Sequence, residues 1–377
     1  MSFTFTEDQR LLAESADRFV ENEYDFSARR EAMARDGGFS RETWNTFAEL
    51  GWLALPFPED CDGLGGSTVD VAVLLESLGR GLVVEPYQSS IVLGAGCVTT
   101  AGSTEQRHRI LPAVAAGEHL LALAHVEPRS RYALSHVETT ATRDGSGWRL
   151  EGAKAVVHNA ETADTLVVSA RSAGATTDRE GISLFLVARN AEGVSLRSYP
   201  TVDGMRASEV TLDGVTVGDE AVLGEAEDAL SAIEAVVDRA CVLLCAEAAG
   251  AMDAAVRLTT AYLKERRQFG VPIGSFQSLQ HRAVDMLGAQ QFARALMYRA
   301  AGVVDGADPH ERARAASAAK VEAGRAGRMV GQEAVQLHGG MGMTDEMAIG
   351  HYFKRLSTID AQFGNTDHHV RRFAALA

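Results

Sequence analysis

The sequence lacks a cationic surplus: its 377 residues carry 36 basic against 51 acidic side chains, a formal charge of −15. Nothing in that balance would neutralise the phosphates of a nucleic acid or dock on an anionic bilayer. No segment reaches the ~18 uninterrupted apolar residues of a membrane-spanning helix. The opening MSFTFTEDQRLLAES holds acids and a capping pattern where a signal peptide would need a basic start and an apolar run. These absences predict a cytoplasmic protein with neither a nucleic-acid nor a membrane partner. Cysteine is scarce as well, and Cys61, Cys97, Cys241 and Cys245 lack the spacing of a zinc site. The last two lie four apart in an apolar helix, where buried reduced thiols are expected. His368 and His369 are adjacent and would point apart on a helix, and no helical His-x-x-x-His or carboxylate pair completes a ligand set, so no metal is expected. Proline is nearly absent from the C-terminal part: beyond Glu227 only Pro272 and Pro309 interrupt the chain.

What is present divides into three regions, read as residues 1–120, 121–226 and 227–377. In the first, Thr6 with Gln9 forms a capping-box start. Leu11, Leu12, Ala16, Phe19 and Val20 then recur at helical spacing towards Arg29 and Arg30. Ser40 opens a second helix that ends at Gly51, and Ser67 with Asp70 caps a third through Leu78. The middle region alternates short β-branched runs with turn residues. It predicts strands at Val137–Arg143, Trp148–Glu151, Leu166–Ala170, Ile182–Val187 and Val210–Val217, the last interrupted at Asp213-Gly214. The third region is alanine-rich with four long helical segments, and connections at 270–275, 305–309 and 339–342 are short enough to make neighbours antiparallel. The expected fold is therefore α+β: an N-terminal α-helical domain, a middle β domain and a C-terminal four-helix bundle.

Within the third region Arg266 ends a long helix, where its guanidinium could grip a dinucleotide pyrophosphate or simply offset the helix dipole. Gly339, Gly340 and Gly342 permit a close approach of backbone to a ligand, with Gln336 offering an amide, or form an ordinary helix C-cap and turn. Phe269 and Gln277 could equally be packing residues. Their joint occurrence, Glu265-Arg266-Arg267-Gln268-Phe269-Gly270, then Phe276-Gln277, then Gln336-Leu337-His338-Gly339-Gly340-Met341-Gly342, resembles in order and spacing the acyl-CoA dehydrogenase family. Gly51-Trp52-Leu53 ahead of Gly63-Leu64-Gly65-Gly66, and Gly152-Ala153-Lys154, extend the likeness over essentially the whole chain. It is nearest to pimeloyl-CoA dehydrogenase small subunits, through Ala124-His125, Cys245-Ala246-Glu247-Ala248 and His351-Tyr352-Phe353-Lys354-Arg355.

The resemblance implies a FAD-dependent enzyme that dehydrogenates an acyl-CoA to its trans-2-enoyl form and passes electrons to an electron-transfer flavoprotein. It implies a homo- or heterotetramer, with a larger acyl-CoA dehydrogenase subunit as a possible partner whose FAD site this chain would complete. It implies that Arg266, Phe269, Gln277, Gln336, Gly339, Gly340, Thr366 and His368 bind the cofactor. The family pattern is broken elsewhere. The flavin-holding run Tyr-x-x-Thr-Glu-Pro reads Leu123-Ala124-His125-Val126-Glu127-Pro128, and Trp-Ile-Thr-Asn reads Val156-Val157-His158-Asn159. The family's catalytic glutamate falls on Gly364, and its other known location falls on Ala240. Asp238 and Asp367 are the nearest carboxylates, each either an unconventional base or an ordinary capping or ion-pairing residue, so the catalytic residue is left unassigned. A dicarboxylyl thioester would need a cation for its distal carboxylate, for which Arg129, Arg131 and Arg239 are available unless they are ordinary surface arginines; steroid side-chain or other bulky thioesters stay open as substrates.

Overall fold

The computed structural model describes residues 4–306 and 308–376. The chain begins with helices α1 (Glu7–Asn22), α2 (Phe26–Ala34), α3 (Arg41–Glu49), α4 (Thr68–Arg80), α5 (Gly96–Ala101) and α6 (Thr104–Ala115). Strands β1 (Leu121–Ala124), β2 (Thr140–Asp144), β3 (Gly147–His158), β4 (Thr165–Arg171), β5 (Ile182–Ala188), β6 (Val194–Pro200), β7 (Arg206–Gly218) and β8 (Val222–Leu223) follow. Then come α7 (Leu230–Glu265), a hairpin of β9 (Arg267–Gln268) and β10 (Val271–Pro272), α8 (Gln277–Val304), α9 (Pro309–His338), α10 (Ala348–Ala361) and α11 (Thr366–Ala375). This is the expected helical, β, helical order. By compactness the chain forms two units, one of residues 1–31, 67–83 and 241–377, the other of residues 32–66 and 84–240.

Local chemistry sets most helix starts. Thr6 and Gln9 close a capping box at α1, Ser40 Oγ accepts from Thr43 N at α3, and Ser67 with Asp70 caps α4. The first helix does not run through to Arg29: it stops at Asn22, and Asp25 Oδ1 accepts from Ala28 N at 2.8 Å to start α2 afresh. A π-helical segment, Tyr87–Ala95, and the helices α5 and α6 complete this part, and Ser103 with Gln106 closes a capping box at α6. The C-terminal segment is two helices, broken at residues 362–365.

In the β-containing unit the sheet runs β6-β7-β3-β2-β4-β5-β8, with β1 parallel to β4. Its core gathers Trp148, Leu150, Leu166, Val168, Phe185, Val187, Val210 and Val215. The predicted strand at Val137 begins only at Thr140. Val137 N donates to Thr176 O, and the N–H groups of Glu138 and Thr139 are taken by the Glu127 carboxylate, so none is left for the ladder. Asp213-Gly214 does not end its strand either. β7 is continuous, and those residues bulge opposite β3, where the pairing jumps from Leu150↔Val215 to Gly152↔Leu212.

In the helical unit α9 packs against α8, α10 and α11. Glu76 on α4 is buried, accepting from Arg80 Nη2 at 3.0 Å, Arg294 Nε at 2.7 Å and Tyr298 Oη at 2.6 Å, which ties α4 to α8. Each oxygen of that carboxylate has a donor, which a buried charge requires.

Candidate active site

At the end of α7, Arg266 N still donates to Tyr262 O, and the chain then folds into the β9–β10 hairpin. The two tip residues, Phe269 (φ 52°) and Gly270 (φ 83°), are both left-handed, the conformation a two-residue hairpin turn requires. That tip holds the Phe269 ring 91% exposed, edge-on to Phe276 at 6.1 Å. Gln277, the first residue of α8, and Arg266 are exposed too. At the end of α9 Gln336 is exposed, Gly339 has φ 62°, and a Cβ built on Gly339 or Gly340 would meet nothing within 4 Å. Tyr262 and His338 stack at 4.5 Å, so the Arg266 end of α7 and the glycine turn after α9 are brought together. The structure thus juxtaposes a guanidinium and a bare glycine backbone, the donors that suit a pyrophosphate.

The turn between α10 and α11 is built differently. Phe363 (φ 56°) and Gly364 (φ 118°) both adopt positive φ. A Cβ on Gly364 would lie 2.5 Å from His368 Cδ2 and 2.7 Å from His369 Nε2. His369 is buried between Ser317 Oγ and Phe363 O, each at 3.2 Å. Burial, and then Lys320 nearby, pushes it down to about 3. His368 is half-buried and also lowered, first by burial and then by Arg372. Thr366 is engaged within the turn: its Oγ1 donates to Asp360 Oδ1 at 2.7 Å. The glycine therefore has a steric cause: imidazole rings fill the space in which a side chain at 364 would begin.

In the β-containing unit, Glu127 and Lys154 form a buried ion pair at 2.6 Å, with Ser169 Oγ 3.1 Å from the same ammonium. Desolvation pushes Lys154 down to about 8. Desolvation would raise Glu127, but Lys154 and the donated N–H groups bring it below the ordinary carboxylate range. His125 is lowered to about 4, by burial first and by Lys154 second, and is neutral near pH 7. Between Lys154↔Val210 and Val157↔Ser208 β3 bulges, with Val156 at φ 51° and partly exposed. A β-branched residue with positive φ is a strained outlier, and it stands where the resemblance would have an aromatic.

Of the two aspartates weighed as bases, Asp238 is buried on α7, and Asp367 is exposed in the first turn of α11, where its charge suits the helix's positive end. Ala240 is buried. Among the described residues one group, Asp60, Cys61 and His108, has side chains close enough to share a cation. Burial raises the Cys61 thiol, keeping it protonated, and a thiol is a poorer ligand than a thiolate. The charged residues missed in the sequence reading are Lys320, on the alanine-rich face of α9, and the Glu127–Lys154 pairing. Lys320 carried a signal, a lone cation among Ala313, Ala316, Ala319 and Ala323, which are all buried.

A helical domain, a β domain and a helical bundle, carrying an exposed Arg–Phe–Gln–Gly set, define a flavoprotein oxidoreductase. Family models for the acyl-CoA dehydrogenase N-terminal, middle and C-terminal domains match residues 6–118, 122–215 and 230–376. The chain belongs to the acyl-CoA dehydrogenase family. It is 29% identical over 354 residues to the "probable acyl-CoA dehydrogenase YngJ" of Bacillus subtilis, covering 93% of this chain and 92% of that one. Among solved structures, a variant of the Tcur3481-Tcur3483 steroid ACAD is 30% identical with a TM-score of 0.88, covering 98% of this chain and 97% of the other. The ChsE4-ChsE5 complex from Mycobacterium tuberculosis is 26% identical with a TM-score of 0.89, covering 100% and 98%. The residues of the helical unit fit a dinucleotide: no atom lies within 4 Å of the Cβ positions of Gly339 and Gly340, so their backbone is open to a ligand that side chains there would obstruct. No helix among the described residues is long and apolar enough to cross a membrane.

Proposed function

We propose that this chain is a cytoplasmic, FAD-dependent acyl-CoA dehydrogenase subunit that converts an acyl-CoA thioester to the trans-2-enoyl-CoA and works as a tetramer with an electron-transfer flavoprotein as acceptor. The observation that carries it is the exposed set at the ends of α7 and α9, Arg266, Phe269, Gln336, Gly339 and Gly340, beside Gln277. When bound, FAD supplies the hydride acceptor. Arg266 would neutralise its pyrophosphate, the bare backbone at Gly339 and Gly340 would let the dinucleotide approach, and Phe269 would lose its solvent exposure against it. Thr366 and His368 would bound the same cofactor from α11. His158 stands where the resemblance would have a hydroxyl along the flavin ring, and His125, two residues before Glu127, would contribute a neutral imidazole beside it. The likeness to pimeloyl-CoA dehydrogenase small subunits makes a dicarboxylyl-CoA the substrate class of choice.

The filled space at Gly364 favours a second reading of the same assembly, in which a larger subunit provides the base and this chain completes its FAD site in an α2β2 complex. Two solved relatives have names that pair two proteins. The test is to purify the chain alone and together with a large subunit, and to measure flavin absorbance and enoyl-CoA formation. Flavin-loaded, active complexes support the proposal, and absence of both in every assembly overturns it. Stoichiometric flavin and turnover in the isolated chain overturn the second reading alone.

A further inference from the structure

Lys320 is a buried cation that the proposed chemistry does not use. It is 0% exposed, and Nζ donates to Ile359 O at 2.7 Å, Asp360 O at 3.0 Å and Gly364 O at 2.9 Å. An ammonium has three donors, and all three are spent on backbone carbonyls. Two belong to the last turn of α10, whose carbonyls have no partner within the helix and carry the negative end of its dipole. The third belongs to the turn itself. The neighbouring carboxylate is occupied elsewhere: Asp360 Oδ1 takes Thr366 N and Oγ1, and Oδ2 takes Arg328 Nη2 at 3.2 Å. Burial lowers the Lys320 pKa, while Cys241, Cys245 and Asp360 pull it back up.

A charge buried without a hydrogen-bonded carboxylate is expensive, and an aliphatic side chain would fill the same volume more cheaply. What an aliphatic side chain cannot do is bind three carbonyls from two sides of a bend at once. The bend needs that help, because Phe363 is held with positive φ, which a bulky L-residue disfavours. His369 adds a fourth fastening through Phe363 O. The turn's shape is therefore imposed by Lys320 from beneath and by the imidazole pair alongside.

We propose that Lys320 is a positioning residue that sets the Gly364 turn, so that the substrate meets a fixed turn, backed by the imidazole pair, where family relatives place their glutamate. This deepens the function proposed above and rests on it for what the turn faces.

The test uses the assembled protein with Lys320→Met, which keeps length and volume but removes all donors, and Lys320→Gln, which keeps two. Amide hydrogen exchange is read at residues 362–366, and affinity is read with a non-reacting acyl-CoA thioether. Lys320→Met is expected to speed exchange in the turn at least tenfold while α8 stays protected, and to weaken thioether binding at least tenfold without loss of bound flavin. Lys320→Gln is expected to recover part of both. A merely structural lysine would lower the melting temperature yet leave the affinity of the folded fraction unchanged, and that result overturns the proposal, as does unchanged exchange in either variant. If the wild-type assembly binds no acyl-CoA, the functional reading fails separately, and the proposal, which makes the turn a substrate-facing wall, falls with it even when the exchange data show the turn loosened.

Discussion

Restoring the family's carboxylate by Gly364→Glu looks like a repair, and the geometry says that it is not one. Two costs add. The backbone at 364 has φ 118°, a region that costs a non-glycine residue about 1–3 kcal/mol. The new Cβ would also lie 2.5 Å from His368 Cδ2 and 2.7 Å from His369 Nε2. His369 cannot step aside freely, because Ser317 and the Phe363 carbonyl hold both its nitrogens. Overpacking of this kind costs about 1–3 kcal/mol. The sum is about 2–6 kcal/mol, and at roughly 2–4 °C per kcal/mol for a unit of this size the melting temperature should fall by about 4–24 °C. Differential scanning calorimetry of the assembled protein, alongside enoyl-CoA formation, gives both readouts. The expected outcome is a lower melting temperature with no gain in turnover. An unchanged melting temperature together with increased turnover would refute the reasoning, since it would mean that the imidazoles yield and that position 364 is simply vacant.

The remaining predictions concern the cofactor side, the buried ion pair and acid. Arg266→Ala should lower retained FAD in the complex, measured by flavin absorbance after gel filtration, more than Asp238→Ala or Asp367→Ala does. Should either aspartate change instead abolish activity with FAD still bound, that aspartate is the base. Glu127→Gln leaves Lys154 buried with its charge uncompensated and should cost about 3–5 kcal/mol by denaturant unfolding, because truncating one partner of a buried pair strands the other. Stability should fall as pH drops from 7 to 5. His125 (about 4) and His369 (about 3) have folded pKa values below the unfolded value near 6.5, so below pH 6.5 the unfolded chain binds protons that the folded chain refuses. Each should cost about 2 kcal/mol at pH 5. His369→Gln should flatten that pH dependence, and a wild-type midpoint constant from pH 7 to 5 would contradict the assignment.

The sequence by itself determined the elements whose causes are local. Thr6 and Ser40 cap helices because a side-chain oxygen reaches an N–H three residues on, Asp70 reaches back to the Ser67 N–H, and the short apolar runs at 166–170 and 182–187 make strands buried on both faces. The order of motifs from Arg266 to Gly342 sufficed to identify the family, and it picked out residues that the fold leaves exposed on one hairpin and one glycine turn. Tertiary structure decided what depends on partners distant in the chain. Val137–Thr139 leave the sheet because Glu127 and Thr176 take their N–H groups. Lys320 is a clamp rather than a solvated charge because α10 ends above it. The missing glutamate, a bare absence in the sequence, becomes a filled volume in the fold: the positive-φ bend at 363–364, fastened from α9 by Lys320 and by Ser317 on His369, turns the rings of His368 and His369 against Gly364. Such contacts bring together groups on separate helices and turns, and no period or spacing along the chain encodes which side chain will occupy the space that another has left.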